Sequence, residues 1–375
     1  MYWSVVGRQA VMCLALYGGA TFMADVAHFA LHSMARARSP VLAWIGALHQ
    51  VHHRFFGSDL KIHREYQEQN LLSHRIPEYV TLAAATSIGF LWLPAHVVLA
   101  ALVLETILVA IGTLRGGLDS NHKTRERLRA SNAGWFVGPV YHGFHHIFPD
   151  NYMGSTTKLF DILFARGCQI RGRRFAMTGA SGAFGTPLSK IIEAGGGHVR
   201  AVKYGRDYDY GDYERLDPVL AEADVLVLCH GSKVKDAMQA NCDSFVAIIE
   251  RFRRLGRDRP LPVEVWAMGS EIEAHPAWGD PDLETYLRSK RAFARHARRY
   301  FHDDEILYRH IVPSAYTSPM GKGLISGATA AAIAMFFIRR GFRYVPVTYT
   351  GIAFLNALRF LWPWSDSTRG EQPYA

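Results

Sequence analysis

Cysteine is scarce in this sequence, and long charge blocks of one sign are missing. Four cysteines occur in 375 residues and none forms a CxxC pair, which excludes a disulfide scaffold and a zinc ribbon and favours a reducing compartment or a membrane. A charged fraction of 20% beside a hydrophobic fraction of 49% excludes a disordered chain. The net charge of +9 is not gathered in a Lys/Arg arm, so we expect no nucleic-acid partner and favour an anionic membrane surface.

Two long apolar stretches occupy the N-terminal part of the chain. Residues 5–31 suffice, at ~1.5 Å per residue, to cross ~30 Å of hydrocarbon. A cleaved signal peptide is the alternative, but only Arg8 lies at its start and no cleavage site is evident. The second stretch, 79–114, is broken at Pro94, which indicates a hairpin or a kinked pair of short spans.

Basic residues follow both stretches, and by the positive-inside rule they predict an integral membrane domain with these segments, and the histidines on or beside them, on the cytoplasmic side. They are Arg54, Lys61, Arg64, Arg75, Arg115, Lys123, Arg125, Arg127 and Arg129.

From residue 171 onward, short apolar runs alternate with amphipathic stretches, which is the βαβ pattern of a parallel sheet. Strands are predicted at 199–203, 225–229 and 263–268, and helices at 187–194 and 238–255. We therefore expect three parts: an all-α membrane domain (1–170), an α/β Rossmann domain with a doubly wound parallel sheet (171–320), and an apolar membrane-associated segment (321–375). The last part favours an interfacial anchor with Trp362 and Trp364 at its edge, and an ordinary buried helix is the alternative.

Histidine is concentrated in the first part, where 12 of the 18 lie at or before His146. One HxxxH and two HxxHH motifs occur, and on a helix this spacing directs the imidazoles to one side. At about 0.05 His per position, HxxHH is expected on the order of 0.04 times by chance. The motifs therefore predict metal ligands, in a number that requires two ions, and neutral imidazole suits iron, zinc and copper alike. The eight residues are His28, His32, His49, His52, His53, His142, His145 and His146.

These motifs resemble the fatty acid hydroxylase/sterol desaturase superfamily of integral membrane di-metal oxygenases over residues 10–166. The likeness continues after the third motif, through Asn151-Tyr152 and the run Phe160–Phe164. The resemblance implies two iron ions, with zinc possible, and O₂-dependent hydroxylation or desaturation of a lipid or sterol-like substrate. It also implies an external electron donor.

The sequence departs from this family at two ligand positions. Where the family usually has another His before the last motif, this chain has Arg115, and His122 is the nearest candidate. A further ligand after the second motif is either His74, which we include in the predicted set, or His63; the alternative for all of these is a solvated loop His. Asp25 lies one turn before His28 and could orient its imidazole, with a capping or surface role equally open.

A glycine-rich turn, TGASGAFG at 178–185, follows a predicted strand and opens a predicted helix. Such a turn lets the backbone approach a pyrophosphate at the helix N-terminus. Far along the chain, Tyr286 and Lys290 form YxxxK, in which the Lys can lower the pKa of the Tyr and hold a ribose while the phenol exchanges a proton. The predicted cofactor-binding residues of the turn are Gly179, Ser181, Gly182 and Gly185.

Together these features resemble the short-chain dehydrogenase/reductase family over residues 173–320. The resemblance implies an active-site Asn at Asn241 and a carbonyl-polarising Ser at Ser270, beside Tyr286 and Lys290. The chain departs from it at Cys229-His230-Gly231 and in the longer spacing from Ser270 to Tyr286.

Cofactor choice is indicated by the residues after the second predicted strand. Lys203 and Arg206 stand where an NAD enzyme has an acidic residue, which favours NADP, while Asp207 leaves the choice open.

With both halves taken together, the chain resembles bacterial bifunctional sterol desaturase/short-chain dehydrogenase proteins, and it resembles plant wax proteins more distantly. We expect a bifunctional membrane lipid oxidoreductase in which a di-iron step is coupled to NADP-dependent hydride transfer on an alcohol or carbonyl, the product passing between the sites by proximity. The alternatives are a wax-type aldehyde- or alkane-forming enzyme, a hydroxylase with a non-catalytic nucleotide-sensing module, and a non-catalytic zinc protein.

Overall fold

The structure is a computed structural model, and it describes residues 2–118, 120–124, 128, 134–259, 261–277 and 281–361. The chain divides into two compact units. The first comprises Met1–Gln169 with Arg339–Gly341, and the second comprises Ile170–Ile338 with Phe342–Ala375. The basic residues Arg125, Arg127 and Arg129 and the aromatic residues Trp362 and Trp364 lie outside the described residues.

The first unit is helical. Helix α1 packs against α2, α4 and α5, and the last two also pack against each other. Since Pro94 lies between α4 and α5, its break is the turn of a helical hairpin. The helices are α1 (Tyr2–Met34), α2 (Pro40–Phe55), α3 (Gln67–Asn70), α4 (Ile76–Ser87), α5 (Ala95–Leu114), α6 (Pro139–Ile147) and α7 (Leu159–Phe164).

Two helices of this unit, over Val6–Met34 and Ala95–Leu114, are long and apolar enough to cross a membrane. Much of their apolar surface is not covered by the unit itself: Leu14 is 63% exposed, Val103 57% and Leu114 87%. Apolar faces of this kind mark contact with lipid or another protein.

The second unit is built on a six-stranded parallel sheet of order β2-β1-β3-β4-β5-β8. Helices lie between successive strands, as in a Rossmann-like doubly wound fold. The strands are β1 (Arg174–Thr178), β2 (His198–Val202), β3 (Val225–Leu228), β4 (Val263–Met268), β5 (Ile306–Pro313) and β8 (Tyr344–Val347), with a small pair β6 (Tyr316–Thr317) and β7 (Ile325–Ser326). The helices are α8 (Gly185–Ala194), α9 (Asp217–Glu222), α10 (Ser244–Leu255), α11 (Pro281–His302), α12 (Gly327–Arg339) and α13 (Ile352–Leu361).

Strands β3 and β4 are fully buried, as expected for the centre of a parallel sheet, and all their residues but Glu264 are apolar. The order reverses at β1, which pairs with β2 on one side and β3 on the other. Ligands of open α/β sheets bind at such a switch point, outside the carboxyl ends of the strands. The three predicted strands differ from the observed ones by at most one residue.

The sequence predicted a separate segment after residue 320, but the structure makes this segment part of the second unit. Strand β8 completes the sheet by pairing with β5, with Ile311 beside Val345. Helix α12 buries Ala330, Ala334 and Ile338 on the way to it. A run of small residues lets a helix pack closely on a sheet, so the apolar character of α12 reflects burial.

Buried charge, which the apolar pattern does not reveal, lies in the middle of the sheet. Glu264 on β4 is fully buried, forms an ion pair with Arg173, and accepts hydrogen bonds at 2.8 Å from Arg309 Nε and from Trp266 Nε1. These two guanidinium groups lower the pKa of Glu264 to about 2 against the effect of burial. The carboxylate is therefore ionised and compensated.

Candidate functional site

Each unit contains one candidate site. In the helical unit the HxxxH motif lies on α1 and the two HxxHH motifs lie on α2 and α6, where His142, His145 and His146 are buried. His122 comes from the segment between α5 and α6. The helical spacing turns the imidazoles of each motif toward one interior region.

The histidines form two clusters, in each of which one ligand atom per residue lies within 4.8 Å of all the others. We call them cluster A and cluster B. Cluster A contains His28, His32, His49, His53 and His145, and cluster B contains His52, His122, His142 and His146. The ligand count predicted two ions, and each cluster has enough imidazoles to bind one.

The Nε2 atoms approach each other closely within each cluster. The Nε2–Nε2 distance is 3.1 Å from His28 to His32 and 3.2 Å from His32 to His53. In cluster B it is 3.0 Å both from His122 to His142 and from His142 to His146. Two nitrogens each ~2.1 Å from one ion, at about a right angle, are ~3.0 Å apart. The spacing fits ligands around an ion, and it also fits N–H···N hydrogen bonds between neighbouring rings.

The opposite ring nitrogens are held by hydrogen-bond acceptors. Nδ1 of His145 lies 3.0 Å from the Asn151 carbonyl, and Nδ1 of His28 lies 3.3 Å from the Met153 carbonyl. Nδ1 of His52 lies 3.1 Å from Oδ1 of Asn70. An acceptor at Nδ1 places the proton there and leaves the lone pair of Nε2 for a metal.

The donor set fits metal ions. Nε2 of His49 and of His145 are buried and have no hydrogen-bond partner among the described residues. Burial lowers the pKa of His145 to about 3 and that of His49 well below its usual value, so both rings are neutral. Buried polar atoms without a partner are costly, and neutral imidazole is the form that binds a metal.

The remaining predicted ligands differ in their positions. His122 belongs to cluster B. His74 belongs to neither cluster, and its ring stacks on that of His52 with 3.9 Å between centroids. His63 lies 3.3 Å from Asp59 at the surface. Asp25 Oδ1 accepts from the backbone N of Ser155 at 2.9 Å, whereas Nδ1 of His28 faces the Met153 carbonyl.

A cavity of about 350 Å³ opens onto both clusters. It is lined by histidines of cluster A and cluster B and by polar residues of α1, α4 and α5. These polar residues include Tyr17, Thr21, Asp25, Glu78, Thr81 and Glu105.

The candidate site of the Rossmann-like unit lies at the carboxyl edge of its sheet and begins with the glycine turn. Gly179 has φ +68°, and a Cβ there would lie 2.6 Å from the backbone of Cys229. A Cβ at Gly185 would lie 2.0 Å from the carbonyl of Gly179. A Cβ at Gly182, by contrast, would approach only the Gly179 carbonyl, at 3.2 Å. The turn is thus tightly packed on the inside and accessible above the N-terminus of α8, which fits a nucleotide pyrophosphate.

Tyr286 and Lys290 lie one turn apart on α11, with Nζ 5.8 Å from the Tyr286 ring centre. Ser270 follows β4 and hydrogen-bonds the Tyr286 side chain. Buried Lys290 donates to the Met268 carbonyl at 2.8 Å, and burial lowers its pKa to about 8. The pKa of Tyr286 is raised by burial, which the Ser270 hydrogen bond opposes. The sequence predicted that Lys290 lowers the pKa of Tyr286, and this lowering is not found.

Asn241 lies deeper and holds the backbone beside these residues. Its side chain donates to the Ser232 carbonyl at 2.6 Å and to Ser289 Oγ at 3.0 Å. Ser289 in turn donates to the Tyr286 carbonyl at 2.7 Å. The structure therefore brings Asn241, Ser270, Tyr286 and Lys290 together at one edge.

The departure at Cys229-His230 has a structural explanation. His230 lies 2.7 Å from Thr178 Oγ1 and 2.9 Å from Ser244 Oγ, and so ties the end of β1 to α10. Burial beside Lys290 lowers the pKa of His230 to about 3, so the ring is neutral.

Two residues of this region were missed by sequence reasoning. Glu273 accepts from the backbone N of Ser270 at 2.9 Å, and its other oxygen lies 3.2 Å from Nε2 of buried His310. The pair fixes the start of the turn that carries Ser270. No motif spacing indicates it, since His310 comes from the middle of β5.

Lys203 and Arg206 lie on the exposed loop after β2. Arg206 Nη2 donates to Asp207 at 2.6 Å, and the backbone N of Lys203 donates to the same carboxylate at 2.8 Å. These contacts lower the pKa of Asp207. Asp207 is thus engaged by its neighbours, while Ser181 lies exposed in the glycine turn.

No protein-family model matches the chain. The monoglucosyldiacylglycerol epimerase of Synechocystis sp. is 25% identical over 373 residues, covering 86% of this chain and 89% of that protein.

Solved structures resemble about half of the chain. A short-chain dehydrogenase from Burkholderia cenocepacia in complex with NADP is 17% identical and covers 51% of this chain and 95% of its own, with a TM-score of 0.42. A short-chain dehydrogenase from Sphingobium yanoikuyae in complex with NADPH is 12% identical and covers 50% and 92%, with a TM-score of 0.40.

Proposed function

We propose that the chain is a membrane-lipid oxidoreductase with two catalytic units. The Rossmann-like unit binds NADP(H) and acts on an alcohol or carbonyl of a lipid. The helical unit holds two iron ions and hydroxylates or desaturates a C–H bond of a lipid. The observation that carries the proposal is the meeting of Tyr286, Ser270 and Lys290 beside an open glycine turn, in a chain whose other unit gathers nine histidines.

NADP(H), when bound, supplies or accepts a hydride at the carbon under attack. Gly179, Gly182 and Gly185 would hold its pyrophosphate at the N-terminus of α8, and Lys203 and Arg206 would attract its 2′-phosphate.

Within this site Tyr286 exchanges a proton with the substrate oxygen. The Ser270 hydroxyl, already bonded to Tyr286, polarises that oxygen. Lys290 has a pKa of about 8 and carries a proton at neutral pH, so it would donate to the ribose of the bound cofactor.

In the helical unit, two iron ions would supply the activation of dioxygen, with electrons from an external donor. Cluster A and cluster B would each bind one ion through Nε2 atoms. The neutral rings and the acceptors at Nδ1 support this assignment. Zinc in the same ligand set would favour a non-catalytic protein, and metal analysis separates the two.

Membrane attachment, with the histidine clusters on the cytoplasmic side, belongs to the same proposal. It is supported by the two apolar helices and by the exposed apolar residues along them. Helix α13 adds Phe354, Leu355 and Leu358, which are 55–69% exposed and fit an interfacial position for the Rossmann-like unit.

A second candidate function is inversion of a carbon centre in a glycolipid headgroup. The similarity to the monoglucosyldiacylglycerol epimerase, over 86% of this chain, favours it. Oxidation of a secondary alcohol and return of a hydride to the opposite face inverts the carbon without net redox change. This function needs no external electron donor, which distinguishes it from the first.

The test uses the full chain in lipid nanodiscs with NADPH or NADP⁺ and a total membrane-lipid extract. Tyr286→Phe should slow formation of the product by ~10²–10⁴-fold while NADPH binds as before. Tyr66→Phe, outside the site, is the matched control. Unchanged products in Tyr286→Phe would instead indicate that the Rossmann-like unit is a nucleotide-sensing module. In the unsubstituted chain, a free aldehyde or alkane would indicate a wax-type reaction. A product of the same mass as its substrate would indicate epimerisation.

A further inference from the structure

The cavity of the helical unit contains two buried carboxylates that are incompletely satisfied. Asp25 on α1 and Glu105 on α5 are each 1% exposed, and both line the cavity. Asp25 Oδ1 accepts from Ser155 N and Oγ, and Glu105 Oε1 accepts from the Thr86 hydroxyl. Asp25 Oδ2 and Glu105 Oε2 are buried and have no hydrogen-bond partner within the described part of the chain.

Unpaired buried acceptors of this kind cost free energy unless something in the cavity donates to them. Glu105 is conspicuous because it is the one acidic residue of α5, a helix made of apolar and small residues apart from Glu105 and His96 near its start. An ionisable residue inside such a helix indicates a substrate or ion pathway. A hydrocarbon chain cannot supply the missing donors, whereas hydroxyl groups can.

The donors and acceptors around the cavity also restrict the ligand. Glu78 is neutralised by Arg75, whose Nη1 lies 3.2 Å from its carboxylate. Asp25 and Glu105 have no such ion pair among the described residues. Arg75 and Arg115 line the cavity as well. The free oxygens of a phosphate are acceptors and cannot satisfy Asp25 Oδ2 or Glu105 Oε2, so the missing donors should be hydroxyl groups of a headgroup.

The cavity places such a group beside the metal-binding residues. Its lining includes His28 and His49 of cluster A and His52, His122 and His142 of cluster B. We propose that this cavity binds the uncharged, hydroxyl-rich headgroup of a glycolipid, with Asp25 and Glu105 accepting from its hydroxyls. The helical unit would then act on the polar headgroup of the lipid and not along its acyl chain.

This inference rests on the proposed action on a membrane lipid, and it is tested by binding. The full chain is placed in phosphatidylcholine nanodiscs that contain equal amounts of monoglucosyl diacylglycerol, diacylglycerol and phosphatidylglycerol with the same acyl chains. Native mass spectrometry then measures which lipid stays on the protein. We expect the glycolipid to be retained about tenfold over each of the other two, which corresponds to about one or two net hydrogen bonds.

Glu105→Gln is the decisive variant. The amide keeps an oxygen for the Thr86 hydroxyl and replaces the unpaired acceptor by a donor, so the glycolipid preference should fall by about tenfold. Asp25→Asn makes the same exchange on α1 and provides a second measurement should the first variant fold poorly. Glu68→Gln removes the same charge at an exposed position outside the cavity and should leave the preference unchanged.

Equal retention of diacylglycerol and glycolipid would overturn the headgroup assignment and leave water in the cavity. Preferential retention of phosphatidylglycerol, or an unchanged preference in both variants, would overturn it as well. Because NADP(H) chemistry in the other unit does not enter this readout, a failed Tyr286→Phe test would refute the proposed reaction without altering the binding result.

Discussion

The carboxylate of Asp161 accepts a hydrogen bond from the backbone N of Met153 at 2.9 Å, and the carbonyl of Met153 faces Nδ1 of His28 at 3.3 Å. Asp161 also accepts from Gly154 N at 2.9 Å and from the Tyr141 hydroxyl at 2.8 Å. Asp161 of α7 thus holds the loop at Met153 and Gly154, and this loop orients His28, a candidate metal ligand. A motif outside the clusters thereby supports cluster A.

We predict that Asp161→Asn loosens this loop. Met153 N and Gly154 N donate to different oxygens of Asp161, so the NH₂ group of an amide would face one of these two donors, which should cost ~1–3 kcal/mol of stability. Metal content measured by mass spectrometry should fall in parallel with the thermal midpoint. Asp150→Asn, at an exposed ion pair with Arg36, should change neither quantity by a comparable amount. Full metal retention in Asp161→Asn would contradict this role.

We predict that the purified full chain holds about two metal ions, one in each cluster. His145→Ala removes a fully buried ligand of cluster A and should lower the content toward one ion while cluster B keeps its own. His63→Ala, outside both clusters, is the matched control. Elemental analysis identifies the metal at the same time. Two ions still bound after the His145 substitution would show that cluster A is not a metal site.

Cofactor choice should depend on the loop after β2. Arg206→Ala should weaken NADPH binding by about tenfold, because a cation near the 2′-phosphate is lost, and should leave NADH binding nearly unchanged. Arg257→Ala, on an exposed turn at the amino edge of the sheet, should alter neither. Fluorescence titration of both nucleotides decides the matter, and tighter binding of NADH by the unsubstituted chain would refute the NADP assignment.

Acid should destabilise the Rossmann-like unit through Glu264. Its pKa is lowered to about 2 in the fold, so its contribution is complete above the ordinary carboxyl pKa of ~4.5 and is lost as the pH falls toward 2. Glu264→Gln leaves buried Arg173 and Arg309 uncompensated and should cost ~3–5 kcal/mol at neutral pH. Unfolding midpoints between pH 7 and pH 3 should therefore fall less steeply in this variant than in the unsubstituted chain. Parallel pH profiles would contradict the assignment.

Several features followed from the sequence because they rest on local periodicity. The HxxxH and HxxHH spacings place imidazoles on one side of a helix, so eight of the nine clustered histidines could be named from the pattern. Three of the six strands of the parallel sheet, β2, β3 and β4, were predicted from short apolar runs and lie within one residue of the predicted bounds. Gly179 and Gly185 predict a tight turn, and the structure has no room for a Cβ at either position.

The tertiary structure decided what depends on contacts between distant segments. It divided the histidines into two clusters, left His74 outside them, and joined β8 to the sheet, because each outcome depends on which elements pack together. It paired Glu273 with His310 and Glu264 with Arg173, although a buried charge carries no periodic signal. Hydrophobic pattern determines which residues are buried, but only packing determines which polar groups meet there.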